Sequence, residues 1–404
     1  MLVVFCPFAA GYYLSYFYRY VNAVIAKDLV ADFGLVPADL GLLTSAYFLA
    51  FAAAQLPLGV LLDRYGPRRC TATLFCVAAV GAFTFGMARD LTMLSVGRAL
   101  IGLGVSAGLM GSIKAFTLWF PRERLVRLSG WMIGVGTLGT LSATAPVEAL
   151  LGPFGWRAVF MGLSALSLGA ALLIFFVVPE RPLPRQGESW GEQMRVVGRI
   201  FARADFWRLV LPLVFCQGTF QSLQGLWFAP WLADVHGLER SAIANYLLAS
   251  AAAYMVASFA LGSLSDAVGS PLRVFQVGTF ASTAAFVPIA LGTGGALFFL
   301  MLFAATSIAT ITTYTLLTHL VPPTQSGRVT TASNLLMFGV SFCFQWGVGA
   351  ILGLWPSAGG RYDPVGYRVA FGILLAAQAA AAAWLLTAKE TRLDGRPREG
   401  GDPV

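Results

Sequence analysis

Two stretches that share one pattern decide the fold: GVLLDRYGPRR at residues 59–69 and GSLSDAVGSPLR at residues 262–273. A glycine, an aspartate and a second glycine recur at a common offset of 203 residues. They are Gly59, Asp63 and Gly66 in the first stretch and Gly262, Asp266 and Gly269 in the second. Because each stretch follows an apolar run of membrane-spanning length, the repeat predicts two homologous halves.

The composition predicts that these halves lie in a membrane. Of the 404 residues, 57% are hydrophobic and only 11% are charged, whereas a soluble domain carries about 25% charged residues. Because this few charged residues cannot cover a surface that faces water, we expect the outer surface to face lipid. The net charge of +8 is therefore interpreted loop by loop, and no nucleic-acid partner is predicted.

Apolar runs long enough to cross the hydrocarbon layer, about 20 residues each, occur six times before a long polar interval and six times after it. The predicted spans are 3–28, 40–62, 71–88, 92–118, 129–150 and 157–178, then 209–232, 242–264, 273–292, 295–319, 330–354 and 369–388. The fold class is therefore all-α integral membrane, with twelve helices in two pseudo-symmetric bundles. We predict bundles at 1–179 and 209–388, a cytoplasmic linker at 180–208 that has room for a short amphipathic helix, and a cytoplasmic tail at 389–404.

Basic residues predict the orientation. With both termini on one side, that side holds 18 of the 27 Lys and Arg residues, and Lys and Arg accumulate on the cytoplasmic side. We therefore expect a multi-pass protein of the bacterial cytoplasmic membrane with both termini and the linker in the cytoplasm. The chain opens in an apolar stretch without a basic leader, so no cleavable signal peptide is predicted; a short lead upstream of Met1 is left open.

The first stretch resembles the loop signature of the major facilitator superfamily, G-x-x-x-D-R-x-G-R-R, between its second and third helices. The matching residues are Gly59, Asp63, Arg64, Gly66, Arg68 and Arg69. LSVGRALIGLG at 94–104, which contains Arg98, is similar to a second pattern of this superfamily. WFPRER at 119–124, GWRAVF at 155–160 and FYRYVNAVIAKDLVADFGL at 17–35 resemble its organic-anion and anion:cation symporter branches. The glycine-proline element of drug/proton antiporters is missing, since Val135 follows Gly134.

The resemblance implies that a substrate site lies at mid-membrane between the halves, and that the loop signature controls gating. We predict that Asp63 latches the cytoplasmic side against residues 328–330, by accepting bonds at a helix end. The predicted gating and coupling residues are Gly59, Asp63, Arg64, Gly66, Arg68, Arg98 and Asp266. A plain positive-inside anchor is the alternative for the arginines, and packing of helix four on helix one is the alternative for Arg98.

Arg19, near the middle of the first span, is the strongest candidate for a substrate ligand. Tyr12, Tyr16, Arg19 and Asn22 lie at helical spacing on one stripe. A charge at membrane depth costs about 2.5 kcal/mol or more on insertion scales, and guanidinium binds carboxylate or phosphate through two parallel bonds. Arg19 therefore predicts an anionic substrate; an ion pair with another helix is the alternative.

The second half supplies amides and hydroxyls in place of charge. The further predicted substrate ligands are Lys114, Gln217, Gln221, Gln224, Trp227, Asn334, Ser341 and Gln345. Amides facing lipid would be left unpaired, so they are expected to face inward, where they either bind substrate or join helices. Snorkelling at the cytoplasmic boundary is the alternative for Lys114.

These residues predict a monomeric secondary transporter that moves a small organic anion by alternating access, with protons as the coupling ion and import as the direction. Export, anion exchange, a lipid flippase and a transporter-like sensor are the alternatives. With two histidines and no clustered carboxylates, a membrane enzyme is not expected. No cofactor and no metal site are predicted, because the five cysteines lack ligand spacing.

Overall fold

The computed structural model describes residues 2–181, 190–321, 325–356 and 361–387, and helices dominate them. The helices are α1 Leu2–Phe33, α2 Pro37–Gly86, α3 Leu91–Val105, α4 Ala107–Trp119, α5 Arg122–Ser142, α6 Ala145–Val177, α7 Trp190–Phe201, α8 Ala204–Ser222, α9 Phe228–His236, α10 Arg240–Val268, α11 Pro271–Leu291, α12 Ala296–Ser307, α13 Thr313–His319, α14 Ser326–Leu352 and α15 Pro364–Leu385. A π-helical turn, Leu223–Trp227, joins α8 to α9, and a 3-10 segment, Ile308–Thr312, joins α12 to α13.

Two of these helices include a chain reversal at a glycine: α2 contains two full passes, and α6 contains the end of one pass, begun by α5, and the whole of the next. Gly66 in α2 has φ of 80° and Gly155 in α6 has φ of 71°. We divide α2 and α6 at these glycines and join α3 to α4, α5 to the start of α6, α8 to α9, and α12 to α13. The described helices other than α7 then make twelve passes, six in each half. The predicted all-α, twelve-helix fold is confirmed. The predicted fifth span is interrupted, since α5 ends at Ser142 and α6 begins at Ala145.

The repeat found in the sequence has a backbone cause. Gly66 and its counterpart Gly269, which ends α10, both adopt positive φ, 80° and 67°. A residue with a Cβ is strained in this region by about 1–2 kcal/mol, so both halves place glycine where the chain reverses.

Membrane insertion is supported by length, composition and surface. Eight helical segments among the described residues are long and apolar enough to cross a membrane, and one of them is the 50-residue α2 with its two passes. Large apolar side chains, including Phe176, Val256 and Val277, stay more than half exposed on the outside of the bundle. In water such a surface would be costly, whereas in lipid it is the expected one.

The helix ends define two faces of the molecule. We call the face with junctions 34–36 and 237–239 the outer end, and the face with Gly66 and the linker the inner end, after the orientation predicted from the sequence. At the outer end α2 packs closely on α14, since a Cβ on Gly349 would overlap the carbonyl oxygen of Pro37. The linker helix α7 buries Val196 and Ile200 against the inner end of the second half.

Candidate functional site

Arg19 lies at the centre of the bundle, where α1 faces the second half. Its guanidinium carbon is 4.5 Å from the ring centre of Tyr16, 5.0 Å from Phe338 and 5.5 Å from Phe51. The residue is 6% exposed. Aromatic faces attract a cation by about 0.5–2 kcal/mol each, so three rings from α1, α2 and α14 stabilise this charge without neutralising it.

The polar partner of Arg19 is neutral. Nη1 donates to Oε1 of Gln221 on α8 at 3.3 Å, across the interface between the halves, and the buried Nε has no hydrogen-bond partner. Among the described residues no carboxylate forms an ion pair with Arg19. A buried charge of this kind normally pairs with an opposite one, which makes Arg19 a candidate ligand for an anion.

Buried amides beside Arg19 are also incompletely paired. Asn22 donates from Nδ2 to Thr44 Oγ1 at 3.1 Å, while its Oδ1 has no partner. Gln345 is fully buried, and neither of its amide atoms has a partner. This amide borders Arg19 through Gly225: a Cβ on that glycine would lie 3.3 Å from the Arg19 carbonyl oxygen and 3.8 Å from Gln345 Nε2.

Tyrosines from both halves surround the guanidinium, and sequence reasoning found only two of them. Tyr12 donates to Tyr16 at 3.3 Å, as their helical spacing predicted. Tyr254 of α10 donates to Gln217 at 3.5 Å, and Tyr314 of α13 donates to Asn334 at 2.6 Å. Both of these tyrosines interact electrostatically with Arg19 and with Tyr16. The only indication of Tyr254 and Tyr314 in the sequence is a polar hydroxyl within an apolar span.

Several predicted substrate ligands instead hold the second half together. Gln217 donates to the Ser307 carbonyl at 2.8 Å and Gln224 donates to the Leu247 carbonyl at 3.0 Å. Trp227 donates from Nε1 to the Gln345 backbone carbonyl at 2.8 Å. Ser341 is bonded to the Met337 carbonyl of its own helix at 2.8 Å. The contacts of Gln217, Gln224 and Trp227 favour the helix-joining alternative for these three, whereas the Ser341 bond stays within α14 and joins no helices. The π turn at 223–227 spreads the predicted glutamine face over several neighbours.

Arg98 is sealed between helices. Its Nη1 donates to the Tyr18 carbonyl at 2.9 Å, and its guanidinium carbon is 5.1 Å from the ring centre of Tyr47. The residue is 1% exposed. Arg98 therefore links α3 to α1 and α2, which agrees with the alternative that this residue packs helix four on helix one. Its hydrogen bond is to the backbone of α1 at Tyr18, next to Arg19.

At the inner end, Asp63 pairs with Lys114 of its own half, with Lys114 Nζ 2.6 Å from Asp63 Oδ1. In this conformation Lys114 is thus occupied away from Arg19, and Asp63 has a described partner other than the predicted residues 328–330. Arg68 donates from Nε to the Phe175 carbonyl at 2.6 Å, and Arg64 packs on Tyr65. The Asp266 side chain lies outside the described residues.

An ion cluster at the outer end joins the two halves. Arg240 of α10 donates from Nη1 to Asp28 Oδ1 at 2.9 Å and from Nε to Glu148 Oε2 at 2.7 Å. Asp28 and Glu148 belong to the first half. A second outer pair stays within that half, where Arg157 Nη1 is 2.6 Å from Asp32 Oδ2. Sequence reasoning missed Asp28 and Arg240, because pairing over 212 positions leaves no trace in one sequence.

Asp32 lies beyond the predicted first span, which ends at residue 28. It accepts hydrogen bonds from Trp156 Nε1 at 2.9 Å and from Arg157. The hydrogen bond from Trp156 is the larger cause, and that from Arg157 the next, of a pKa of the Asp32 carboxyl below its ordinary value.

No group of three or more His, Cys, Asp and Glu side chains able to hold a metal ion occurs within the described residues.

Twelve passes in two repeated halves, with a buried guanidinium between them, are typical of a membrane transporter. The chain belongs to the Major Facilitator Superfamily, whose family profile matches residues 8–345. The architecture agrees with solved members: a bacterial homologue of the lysosomal transporter Spinster has a TM-score of 0.75 at 21% identity over 98% of both chains. A D-xylose-proton symporter has a TM-score of 0.75 at 16% identity, over 97% of this chain and 98% of that one.

Several relatives by sequence have names that refer to anions, whereas two others are named as facilitated glucose transporters. A probable sulfoacetate transporter of Cupriavidus necator is 27% identical over 272 residues, 64% of this chain and 63% of that protein. The nitrate/nitrite transporter of a Picosynechococcus strain is 27% identical over 50% of this chain and 43% of its own length. The hexuronate transporter of Escherichia coli is 25% identical over 58% of both chains. The matched segments thus span between two fifths and two thirds of these relatives.

Proposed function

We propose that this protein is a secondary transporter that carries a small organic anion across the bacterial cytoplasmic membrane by alternating access. The observation that carries the proposal is Arg19, a centrally buried guanidinium whose described partners are aromatic rings and one neutral amide. The names of the relatives, which refer to sulfoacetate, nitrate and hexuronate, point to the same class of cargo.

In the proposed mechanism the substrate carboxylate or equivalent acid group binds the free edge of Arg19. Nη1 donates to Gln221 and the ring faces cover the guanidinium plane, so the unpaired Nε is a donor left for the acid group. Because Gln221 and Phe338 belong to the second half, an anion bound there contacts both halves. Binding then favours the conformations in which the halves meet around it, by its differential affinity for them.

Proton-coupled import is the proposed mode, and anion exchange is the second candidate. One observation favours exchange, or a substrate that brings its own proton. The acids described here near the substrate path, Asp28, Asp63 and Glu148, are all engaged in ion pairs at the outer or inner end. Uptake into proteoliposomes driven by an inward proton gradient, compared with counterflow driven by internal anion alone, separates the two modes.

The test of the proposal is the variant Arg19→Gln, with Arg19→Lys beside it. Loss of the charge should abolish anion uptake into proteoliposomes, whereas Lys should retain partial uptake because it keeps the charge and loses the planar fork. Arg157→Gln, at the exposed outer pair, is the matched control and should transport normally. Uptake of every tested anion by Arg19→Gln at the wild-type rate would remove the proposal.

A further inference from the structure

A cleft lies at the inner end of the first half, between the chain reversal at Gly66 and the ends of α4 and α6. It is separate from the Arg19 site at the centre of the bundle. The side chains that give the cleft its chemistry are Tyr65, Arg68, Arg69, Trp119, Glu180 and Arg181. Its described lining thus carries three positive charges and one negative charge.

The single carboxylate of this lining is shared by two of the arginines. Glu180 Oε2 is 3.6 Å from Arg68 Nη1, and Glu180 Oε1 is 2.7 Å from Arg69 Nη2. The side chains of Arg69 and Glu180 are 60% and 52% exposed, so water screens this ion pair and makes it weak. An anion that enters the cleft can therefore take the place of Glu180 at Arg69.

Arg181 has no carboxylate partner among the described residues. Its Nη1 donates to the Leu118 carbonyl in the last turn of α4, and its guanidinium carbon is 4.4 Å from the ring centre of Trp119. These contacts hold the guanidinium in place and leave its charge uncompensated. A planar, fixed guanidinium is well suited to bind phosphate oxygens.

The cleft lies where the lipid-facing surface of α6 ends. Phe175 and Phe176 in the last turn of α6 are 42% and 72% exposed, and Leu172 and Leu173 one turn earlier are 47% and 49% exposed. Arg68 joins this apolar surface to the cleft, because its Nε donates to the Phe175 carbonyl at 2.6 Å and its guanidinium carbon is 5.0 Å from the Phe175 ring centre. A lipid with its acyl chains along α6 would therefore have its headgroup beside the arginines.

We propose that this cleft binds the phosphate headgroup of an anionic phospholipid from the leaflet at the inner end. The phosphate oxygens accept hydrogen bonds from Arg69 and Arg181 and displace Glu180. Inorganic phosphate offers the same oxygens but gains nothing from the exposed rings of Phe175 and Phe176, so the position of the cleft favours the lipid. Its positive lining favours an anionic headgroup over a zwitterionic one, whose cation it repels.

The test measures lipid binding to the purified full chain by native mass spectrometry, with phosphatidylglycerol compared with phosphatidylcholine. We expect the first phosphatidylglycerol to bind at least roughly tenfold more tightly than phosphatidylcholine, through charge-assisted bonds to the arginines. The double variant Arg69→Gln/Arg181→Gln should lose this preference. Equal affinity of the wild type for the two lipids would overturn the inference.

The matched control is Arg195→Gln/Arg199→Gln, which removes the same charge from two exposed arginines of the linker helix α7, also at the inner end. This variant should keep the preference for phosphatidylglycerol. If the arginines served only as positive charges on the cytoplasmic side, their place in the fold would not matter. An equal loss of preference in the two double variants would show this and would overturn the site.

Glu180→Gln should have the opposite effect, because Glu180 competes with the phosphate for Arg69. The affinity for phosphatidylglycerol should rise roughly threefold to tenfold. Asp205→Asn, which removes an equal charge paired with Arg208 at the inner end, should leave the affinity unchanged. Unchanged or weaker binding by Glu180→Gln, or an equal rise in both variants, would contradict the competition.

Melting temperatures in detergent separate a lipid from a soluble anion. Phosphatidylglycerol should raise the melting temperature of the wild type more than that of Arg69→Gln/Arg181→Gln, whereas inorganic phosphate alone should raise neither. A rise with inorganic phosphate equal to that with phosphatidylglycerol would identify a site for soluble phosphate and overturn the assignment to a lipid.

Discussion

Arg240 should control how often the outer end opens, because it bridges α10 to two carboxylates of the first half. The side chains of Arg240, Asp28 and Glu148 are 34%, 29% and 20% exposed, so this cluster is more protected than an ordinary surface pair. Opening the outer end must separate these charges. The substitution Arg240→Gln removes both ion pairs and keeps a polar side chain of similar length.

The size of the effect follows from the geometry. Two unit charges about 4 Å apart attract by about 4 kcal/mol at an effective dielectric constant of about 20. Screening and side-chain entropy reduce an exposed pair to about 0.2–1 kcal/mol. A partly buried arginine shared by two carboxylates lies between these limits, at about 1.5–3 kcal/mol, which is the range for hydrogen bonds to charged groups. Its loss should raise the outward-open population relative to the closed one by roughly tenfold to a hundredfold.

The assay is a distance measurement by pulsed electron paramagnetic resonance in a background with the native cysteines replaced. Spin labels at Val36 and Leu354 report on outer-end loops of opposite halves, and both positions are exposed. Arg240→Gln should add a longer-distance population, whereas Arg157→Gln, whose ion pair lies within one half, should leave the distribution as in the wild type. An unchanged distribution in Arg240→Gln, or an equal shift in both variants, would refute the reasoning.

Two further predictions concern stability. Asp32→Asn should lower the melting temperature near pH 7, because the folded-state pKa of Asp32 is depressed. The stabilisation by the Asp32 carboxylate is complete above the unfolded-state pKa of about 3.9, and it is lost as the pH falls through the folded-state pKa. Melting curves of both proteins from about pH 7 to about pH 3 should therefore converge at the acidic end, and a gap that persists there would contradict the assignment. Gly66→Ala should cost about 1–2 kcal/mol of stability because φ is positive there, whereas Gly162→Ala, in open space on α6, should be neutral or stabilising; equal melting temperatures for the two variants would argue against strain at Gly66.

The architecture could be predicted from the sequence because its signals are local or periodic. Apolar runs of membrane length have one solution for backbone hydrogen bonds, and the repeated glycines mark chain reversals that require positive φ at Gly66 and Gly269. Helix interruptions were less predictable. The break between Ser142 and Ala145 and the π turn at 223–227 lie inside runs of membrane-spanning length, where hydropathy carries no information about backbone geometry.

The central burial of Arg19 was predictable from the sequence, and the hydrogen-bond partners of the neighbouring amides were less so. Arg19 stood out because a charge in an apolar span is costly wherever it points. The amides of Gln217 and Gln224 looked equivalent to that of Gln221 by helical spacing, yet their partners are on α12 and α10. Inward placement was correct for all three, but which neighbour each amide meets depends on the packing of helices distant in sequence.

The two interfaces between the halves differ in a way that bears on transport. At the outer end, Arg240 satisfies its charge with Asp28 and Glu148 of the opposite half. At the centre, Arg19 contacts the opposite half through the neutral amide of Gln221 and the ring of Phe338. The charge of Arg240 is therefore matched by carboxylates, whereas Arg19 has no carboxylate partner among the described residues. In the proposed mechanism a bound anion strengthens the central contact between the halves and leaves the outer cluster unchanged. Substrate binding at Arg19 and the ion cluster at Arg240 thus act on the same equilibrium between outward-open and closed conformations. Arg240→Gln should shift this equilibrium without substrate, whereas Arg19→Gln should remove its response to substrate.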